Sequence, residues 1–145
     1  MKPLGQIPPG FSAQDGELVV AGRKASDLVA LAGTTPLFVY SIDRVRDRIA
    51  QLREAMPTRL ALHYAIKANP FGPLLAAMEG LVDGFDIASG GELAILRAEG
   101  IDPAKVSFAG PGKRDAELEA AIAAGVTLNL ESEGEAARAL AIASR

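Results

Sequence analysis

The sequence predicts an α/β fold built on a parallel sheet, and three observations predict it. From Thr34 onward, short apolar runs alternate with amphipathic stretches. The short runs carry apolar residues on both faces, as strands covered by helices on either side do. Glycine stands just past three of the amphipathic stretches, at Gly80, Gly100 and Gly125, where a left-handed residue closes a helix.

Residues 1–35 read differently. Pro8, Pro9, Gly10 and Gly16 punctuate short pieces, and Glu17–Ala21 is expected as a strand. Ser26 is placed to cap a short helix running through Leu31, with Gly33 as its stop. The regular part, 36–145, is expected to carry strands at Leu37–Tyr40, Leu60–Ile66, Gly84–Ala88, Val106–Ala109 and Thr127–Leu130. The first helix between them places Ile42, Val45, Ile49, Leu52 and Met56 on one stripe, with Arg and Asp opposite and Pro57 at its end. Leu74, Leu75 and Met78 mark the second helix, Leu93 and Leu96 the third, and Leu118 and Ile122 the fourth. A last helix starts at Ser132.

Two architectures accept this pattern, a (β/α)8 barrel and a doubly wound open sheet. The open sheet usually carries a glycine-rich phosphate turn after its first strand. Here that turn is Ser41-Ile-Asp43, so the barrel is favoured. About five βα units are expected, whereas a closed barrel needs about 250 residues. The chain is therefore expected to be the N-terminal portion of a barrel, and inactive if assayed alone.

Composition narrows the function classes. With 49% hydrophobic residues the chain has material for a core, which excludes disorder. A net charge of −3 gives no reason to expect nucleic acid or an anionic membrane as partner. The absence of cysteine excludes disulfides and thiolate-bound metals and fits a reducing compartment. The opening residues hold no apolar core of signal-peptide length, and no apolar run approaches a membrane span. A soluble, cytoplasmic protein is expected.

The chemistry-bearing segment is Leu60-Ala-Leu-His-Tyr-Ala-Ile-Lys-Ala-Asn-Pro70. On a strand, Ala61, His63, Ala65 and Lys67 share one face. In a barrel that face lines the interior, with Lys67 nearest the carboxyl-end mouth where barrel enzymes work. A lysine there is costly unless it is neutral, paired or covalently occupied. A Schiff base with an aldehyde cofactor would account for it, and Ala65 would leave room for a flat ring. From spacing alone, a lysine at a strand end that snorkels to solvent is the favoured account. His63, the sole histidine, reads as a hydrogen-bonded core residue. Lys113 and Arg114 follow a glycine turn and read as a solvated helix start, with phosphate binding as the alternative. Ser89-Gly-Gly-Glu92 has the spacing of a capping box.

Three segments carry a family resemblance. Tyr64-Ala-Ile-Lys-Ala-Asn69 resembles the cofactor-lysine motif of the fold-type III pyridoxal-phosphate (PLP) decarboxylases, which act on diaminopimelate, ornithine and arginine. Gly84-Phe-Asp-Ile-Ala-Ser-Gly-Gly-Glu-Leu93 resembles that family's second signature, one βα unit later. The stretch from Ile101 to Lys113 resembles the third, with Gly110-Pro-Gly112 where the family usually shows an asparagine-rich turn. The wording of the whole, including Pro3–Phe11, is most similar to the exosortase- and exopolysaccharide-associated branch.

The resemblance implies an alanine-racemase-like barrel and pyridoxal 5'-phosphate as cofactor, bound to Lys67 as an internal aldimine. Asp86 would then lie beside the cofactor, Ala65 would line the same pocket, and Glu92 would join the polar network unless it only caps its helix. It further implies an amino acid as substrate, decarboxylation as the reaction, and a homodimer whose site a neighbouring chain completes. Residues 1–35 would belong to a β-domain. An alanine-racemase-like activity and a non-catalytic, decarboxylase-like regulator are the rival functions.

Overall fold

A computed structural model describes residues 5–145. The first four residues of the expected 1–35 segment, Pro3 and Leu4 of the branch wording among them, lie outside the described residues. The chain divides into two compact units, Met1–Gln51 and Leu52–Arg145.

The first unit holds a three-stranded antiparallel sheet, β1 (Ser12–Gln14), β2 (Glu17–Val20) and β3 (Arg23–Lys24), followed by α1 (Ala25–Ala32). Asp15-Gly16 and Ala21-Gly22 join the strands, and all four residues have positive φ. Two successive left-handed residues make the turn whose twist suits a hairpin, and Asp-Gly is its usual sequence. The expected strand at Glu17 is present, flanked by two that the apolar pattern did not mark. Ser26 is not the helix cap that its spacing suggested. The cap position is Lys24, without a side-chain bond, and the Ser26 amide instead donates to the Glu17 carboxylate on the adjoining strand. Hydrogen bonding from Ser26, its side chain first and then its amide, holds the Glu17 carboxyl below the usual carboxylate range.

The expected strand Leu37–Tyr40 does not form. These residues join no ladder among the described residues, and Phe38 is 80% exposed. An apolar run reports compatibility with a sheet, but a strand also needs a neighbour's backbone to bond with. The helix α2 (Ile42–Ala55) follows as expected, and the division between the units falls within it.

In the second unit four of the five expected strands form: β4 (His63–Ala65), β5 (Gly84–Ile87), β6 (Val106–Phe108) and β7 (Thr127–Leu128). All are parallel and their order in the sheet is their order in the chain. Helices α3 (Gly72–Met78), α4 (Gly90–Ala98), α5 (Asp115–Ala124) and α6 (Glu133–Ala143) alternate with them. Gly80, Gly100 and Gly125 all have positive φ, as the helix stops require. Phe85, Ile87, Val106 and Phe108 meet Leu74, Leu75, Leu93, Leu96 and Leu118 in a buried layer between sheet and helices. The opposite sheet face, where His63, Ala65, Asp86 and Ser107 lie, is only partly covered. Among the described residues no helix is long and apolar enough to cross a membrane.

Candidate active site

The strand leading to Lys67 is shorter than its sequence suggested. β4 ends at Ala65, and Ile66–Ala68 wind into a single 3-10 turn, closed by the Asn69 amide on the Ile66 carbonyl at 3.0 Å. Ile66 is fully buried. The Asn69 carboxamide then accepts from the Phe71 amide at 3.1 Å, turning the chain into α3. The expected strict alternation thus stops before Lys67. Lys67 nevertheless shares a cavity of about 150 Å³ with Ala65. Asp86, Ile87, Ala88 and Ala109 complete the lining. Among the described residues no hydrogen bond or ion pair engages the Lys67 side chain.

Register brings the carboxylate to the lysine's side. Ala65 pairs with Asp86, and Asp86 with Ser107, so these three form one row across β4, β5 and β6. Ser107 Oγ donates to Asp86 Oδ1, and His63 Nδ1 lies 3.3 Å from the same oxygen. His63 is therefore not the core histidine expected. Its side chain is 34% exposed and its ring engages a carboxylate 23 residues away. The partner is invisible in a single segment because it depends on strand register.

Glu92 stands outside the cavity lining and holds its wall. Ser89 Oγ accepts from the Glu92 amide at 3.2 Å, as the capping spacing predicts. Glu92 Oε2 accepts from the Ala88 amide at 2.5 Å, one residue ahead of the cap. Since Ala88 lines the cavity, the cap and the cavity wall are one structure.

Sequence reasoning missed three further glutamates at this end of the sheet. Glu117 of α5 accepts from the Gly90 amide at 2.9 Å and from the Arg114 amide at 3.0 Å, joining the starts of α4 and α5. The Arg114 side chain has no acceptor, so only the glutamate half of a capping box forms. Glu131 accepts from the Gly110 amide at 2.8 Å. Glu135 pairs with Lys113 at 2.9 Å, both side chains 1% exposed. Lys113 is thus no solvated helix start, and its ammonium is occupied within the protein. A signal for Glu135 was present. Ser132-Glu-Gly-Glu135 repeats the Ser89-to-Glu92 spacing, and its carboxylate likewise takes the amide one residue before the cap, at 3.4 Å.

The Glu117 network carries a pH expectation. Hydrogen bonds from the Arg114 side chain, then from the Gly90 and Arg114 amides, pull its carboxyl from 4.5 down to about 2. A lowered folded-state value stabilises the fold above pH 4.5, and the contribution disappears as pH falls toward 2. Glu117→Gln should cost on the order of 1–2 kcal/mol at neutral pH, with partial exposure discounting the full linkage value. The gap in urea midpoint between wild type and variant should close between pH 4.5 and 2.5. A gap independent of pH would contradict it.

Comparison with known proteins gives the following similarities. Residues 42–144 match the family described as pyridoxal-dependent decarboxylase, pyridoxal binding domain. The chain is 39% identical over 137 residues to a diaminopimelate decarboxylase of Aquifex aeolicus, covering 93% of this chain and 32% of the relative. It is 39% identical over 87 residues to a lysine/ornithine decarboxylase of Selenomonas ruminantium, covering 60% and 22%. A crystal structure from Aquifex aeolicus superposes with a TM-score of 0.83 at 37% identity, over 94% of this chain and 34% of that one. Diaminopimelate decarboxylase of Helicobacter pylori complexed with L-lysine gives 0.73 at 30% identity, over 82% and 31%. The chain spans about a third of the length of these curated diaminopimelate decarboxylases.

Proposed function

The chain belongs to the pyridoxal-dependent decarboxylases, and from that membership we propose that Lys67 holds pyridoxal 5'-phosphate in an enzyme that removes CO2 from an amino acid of the diaminopimelate or ornithine class. The observation that carries the reading is the cavity. It presents one primary amine with no protein partner among the described residues, the methyl groups of Ala65, Ala88 and Ala109 as space for a flat ring, and the Asp86 carboxylate. That donor set fits the aldehyde cofactor.

Bound there, pyridoxal phosphate supplies an electron sink for the pair left behind when CO2 departs. Lys67 would hold the cofactor through Nζ, the primary amine the cavity offers. Asp86 supplies a fixed negative charge on the same cavity wall. Ser107 and His63 meet its Oδ1, and Glu92 keeps the Ala88 segment of the wall from shifting.

The sheet is read as part of a (β/α)8 barrel. Consecutive parallel strands without a reversal of order support this. Residues 1–35 belong to a β-domain on the same reading, 36–145 to the cofactor-binding barrel, and the enzyme works as a homodimer with shared sites. Relatives named for diaminopimelate, lysine and ornithine support the substrate class. Placement in the exosortase-associated branch rests on the wording of the whole chain, including Pro3–Phe11, while Gly110-Pro-Gly112 departs from the family's usual asparagine-rich turn.

The test is to incubate the full-length protein with pyridoxal phosphate, reduce with borohydride and map the label. Lys67 should carry the pyridoxyl group, and a diaminopimelate or ornithine panel should release CO2. Label on Lys105 or Lys113 with Lys67 clean would overturn the assignment. Inversion at the α-carbon without CO2 would favour the racemase reading.

A further inference from the structure

Beneath the cavity, the side chains of β4, β5 and β6 form an arrangement that the proposed chemistry does not by itself require. His63 pairs across to Gly84, one row below the Ala65–Asp86–Ser107 row. A Cβ at position 84 would lie 2.6 Å from His63 Cε1, 2.9 Å from its Nε2 and 2.4 Å from the Lys105 carbonyl. Only glycine leaves the imidazole room to lie across β5. From that seat Nδ1 faces Asp86 Oδ1 at 3.3 Å, and Ser107 Oγ donates to the same oxygen from the other side. Both groups therefore converge on Oδ1. Among the described residues no protein hydrogen bond reaches Oδ2.

A carboxylate accepts and does not donate, so the imidazole must present its proton at Nδ1. Two donors on one oxygen fix the carboxyl about its Cβ–Cγ bond. Chains of such bonds polarise one another when partly shielded from water. Each of the three side chains here is only partly exposed or better covered, and all lie on one sheet face.

We propose that His63, seated over Gly84 and acting with Ser107, is a positioning residue that holds Asp86 as an oriented carboxylate for the cofactor at Lys67. The proposal rests on the pyridoxal-phosphate reading of the cavity, and its test separates the two. His63 touches Asp86 and acts through it, with no direct role in the reaction.

In the full-length protein, His63→Leu removes the donor at similar bulk, whereas His63→Asn places an amide nitrogen where Nδ1 stood. His63→Leu should raise the pyridoxal-phosphate Kd of the apoprotein and lower kcat by about tenfold each, the worth of one charge-assisted hydrogen bond. His63→Asn should restore most of that loss. On an Asp86→Asn background, His63→Leu should have no further effect on either quantity. Ser107→Ala, which cannot disturb packing as much, should give a smaller change with the same dependence on Asp86.

A cofactor-free readout runs beside these. The imidazole nitrogen resonance that disappears in His63→Leu should shift in the apoprotein when Asp86 becomes Asn. If Leu and Asn at position 63 behave alike, or the His63→Leu loss persists without Asp86, the residue is structural and the proposal fails. An unshifted resonance also defeats it. If the resonance shifts but wild-type protein takes up no pyridoxal phosphate at Lys67, the network stands and the cofactor reading fails instead.

Discussion

Lys67→Ala in the full-length protein is expected to lower turnover by at least about 10³-fold, because the residue removed forms the covalent link on which the chemistry depends. The fold should not notice. Lys67 is exposed, lies in a 3-10 turn closed by backbone bonds, and its side chain makes no hydrogen bond or ion pair among the described residues. Substitutions of this kind stay within about 0.5 kcal/mol, so the thermal midpoint should move by no more than a few degrees. Lys67→Arg is the sharper variant. It keeps the positive charge and much of the length, but guanidinium stays protonated and offers no free amine to an aldehyde. Both variants should therefore fail alike in CO2 release and in borohydride labelling while unfolding as wild type does. If Lys67→Arg retains more than a tenth of wild-type turnover, the side chain acts by charge alone and the covalent assignment is wrong.

The parts of this site that the sequence disclosed are those encoded locally. Helix stops at Gly80, Gly100 and Gly125 need one residue with positive φ each, and glycine advertises that need. The Ser89 cap needs partners three residues apart. Lys67 and Asp86 each lie in one contiguous segment that carries the family resemblance, although Lys67 falls two residues past the end of β4 and Asp86 lies within β5. What stayed hidden depends on register. His63 meets Asp86, Glu117 meets Gly90 and Glu131 meets Gly110 across separations of 21 to 27 residues. No local pattern distinguishes a carboxylate that will reach a neighbouring loop from one that will face water. Leu37–Tyr40 fails for the converse reason: its local pattern suits a strand, and a ladder is a property of two segments. The 3-10 turn at Lys67 is closed by the Asn69 backbone amide on the Ile66 carbonyl, and the Asn69 carboxamide then bonds the Phe71 amide as the chain enters α3.

Lys113 is the case where local reasoning pointed the wrong way, and it carries the largest expected effect on stability. Its ammonium donates to the Gly110 carbonyl at 2.7 Å, the Asn129 carbonyl at 2.7 Å and Glu135 Oε1 at 2.9 Å, which uses all three of its protons. It also stands 5.5 Å from the centre of the Phe108 ring. The knot ties the loop after β6 to the loop after β7, and Ala109 of the first loop lines the Lys67 cavity. Glu135 Oε2 is buried without a hydrogen-bond partner among the described residues, so the carboxylate depends heavily on this one cation. Lys113 holds the Glu135 carboxyl below the usual carboxylate range. Removing either partner strands a charge that water cannot reach. Lys113→Met and Glu135→Leu should each cost about 3–5 kcal/mol. The double variant should cost clearly less than the sum, since neither charge then remains buried alone, although the Gly110 and Asn129 carbonyls still lose their donor. The sign with pH follows from the lowered Glu135 value. The pair stabilises above the ordinary carboxylate range and loses that contribution in acid, so the deficit of Lys113→Met should shrink as pH falls through that range. Urea midpoints for the four proteins at neutral pH and at about pH 4, below the ordinary Glu value, test both statements. Single variants costing less than about 1 kcal/mol would place the pair among solvated surface bridges and remove the knot from the account of the site.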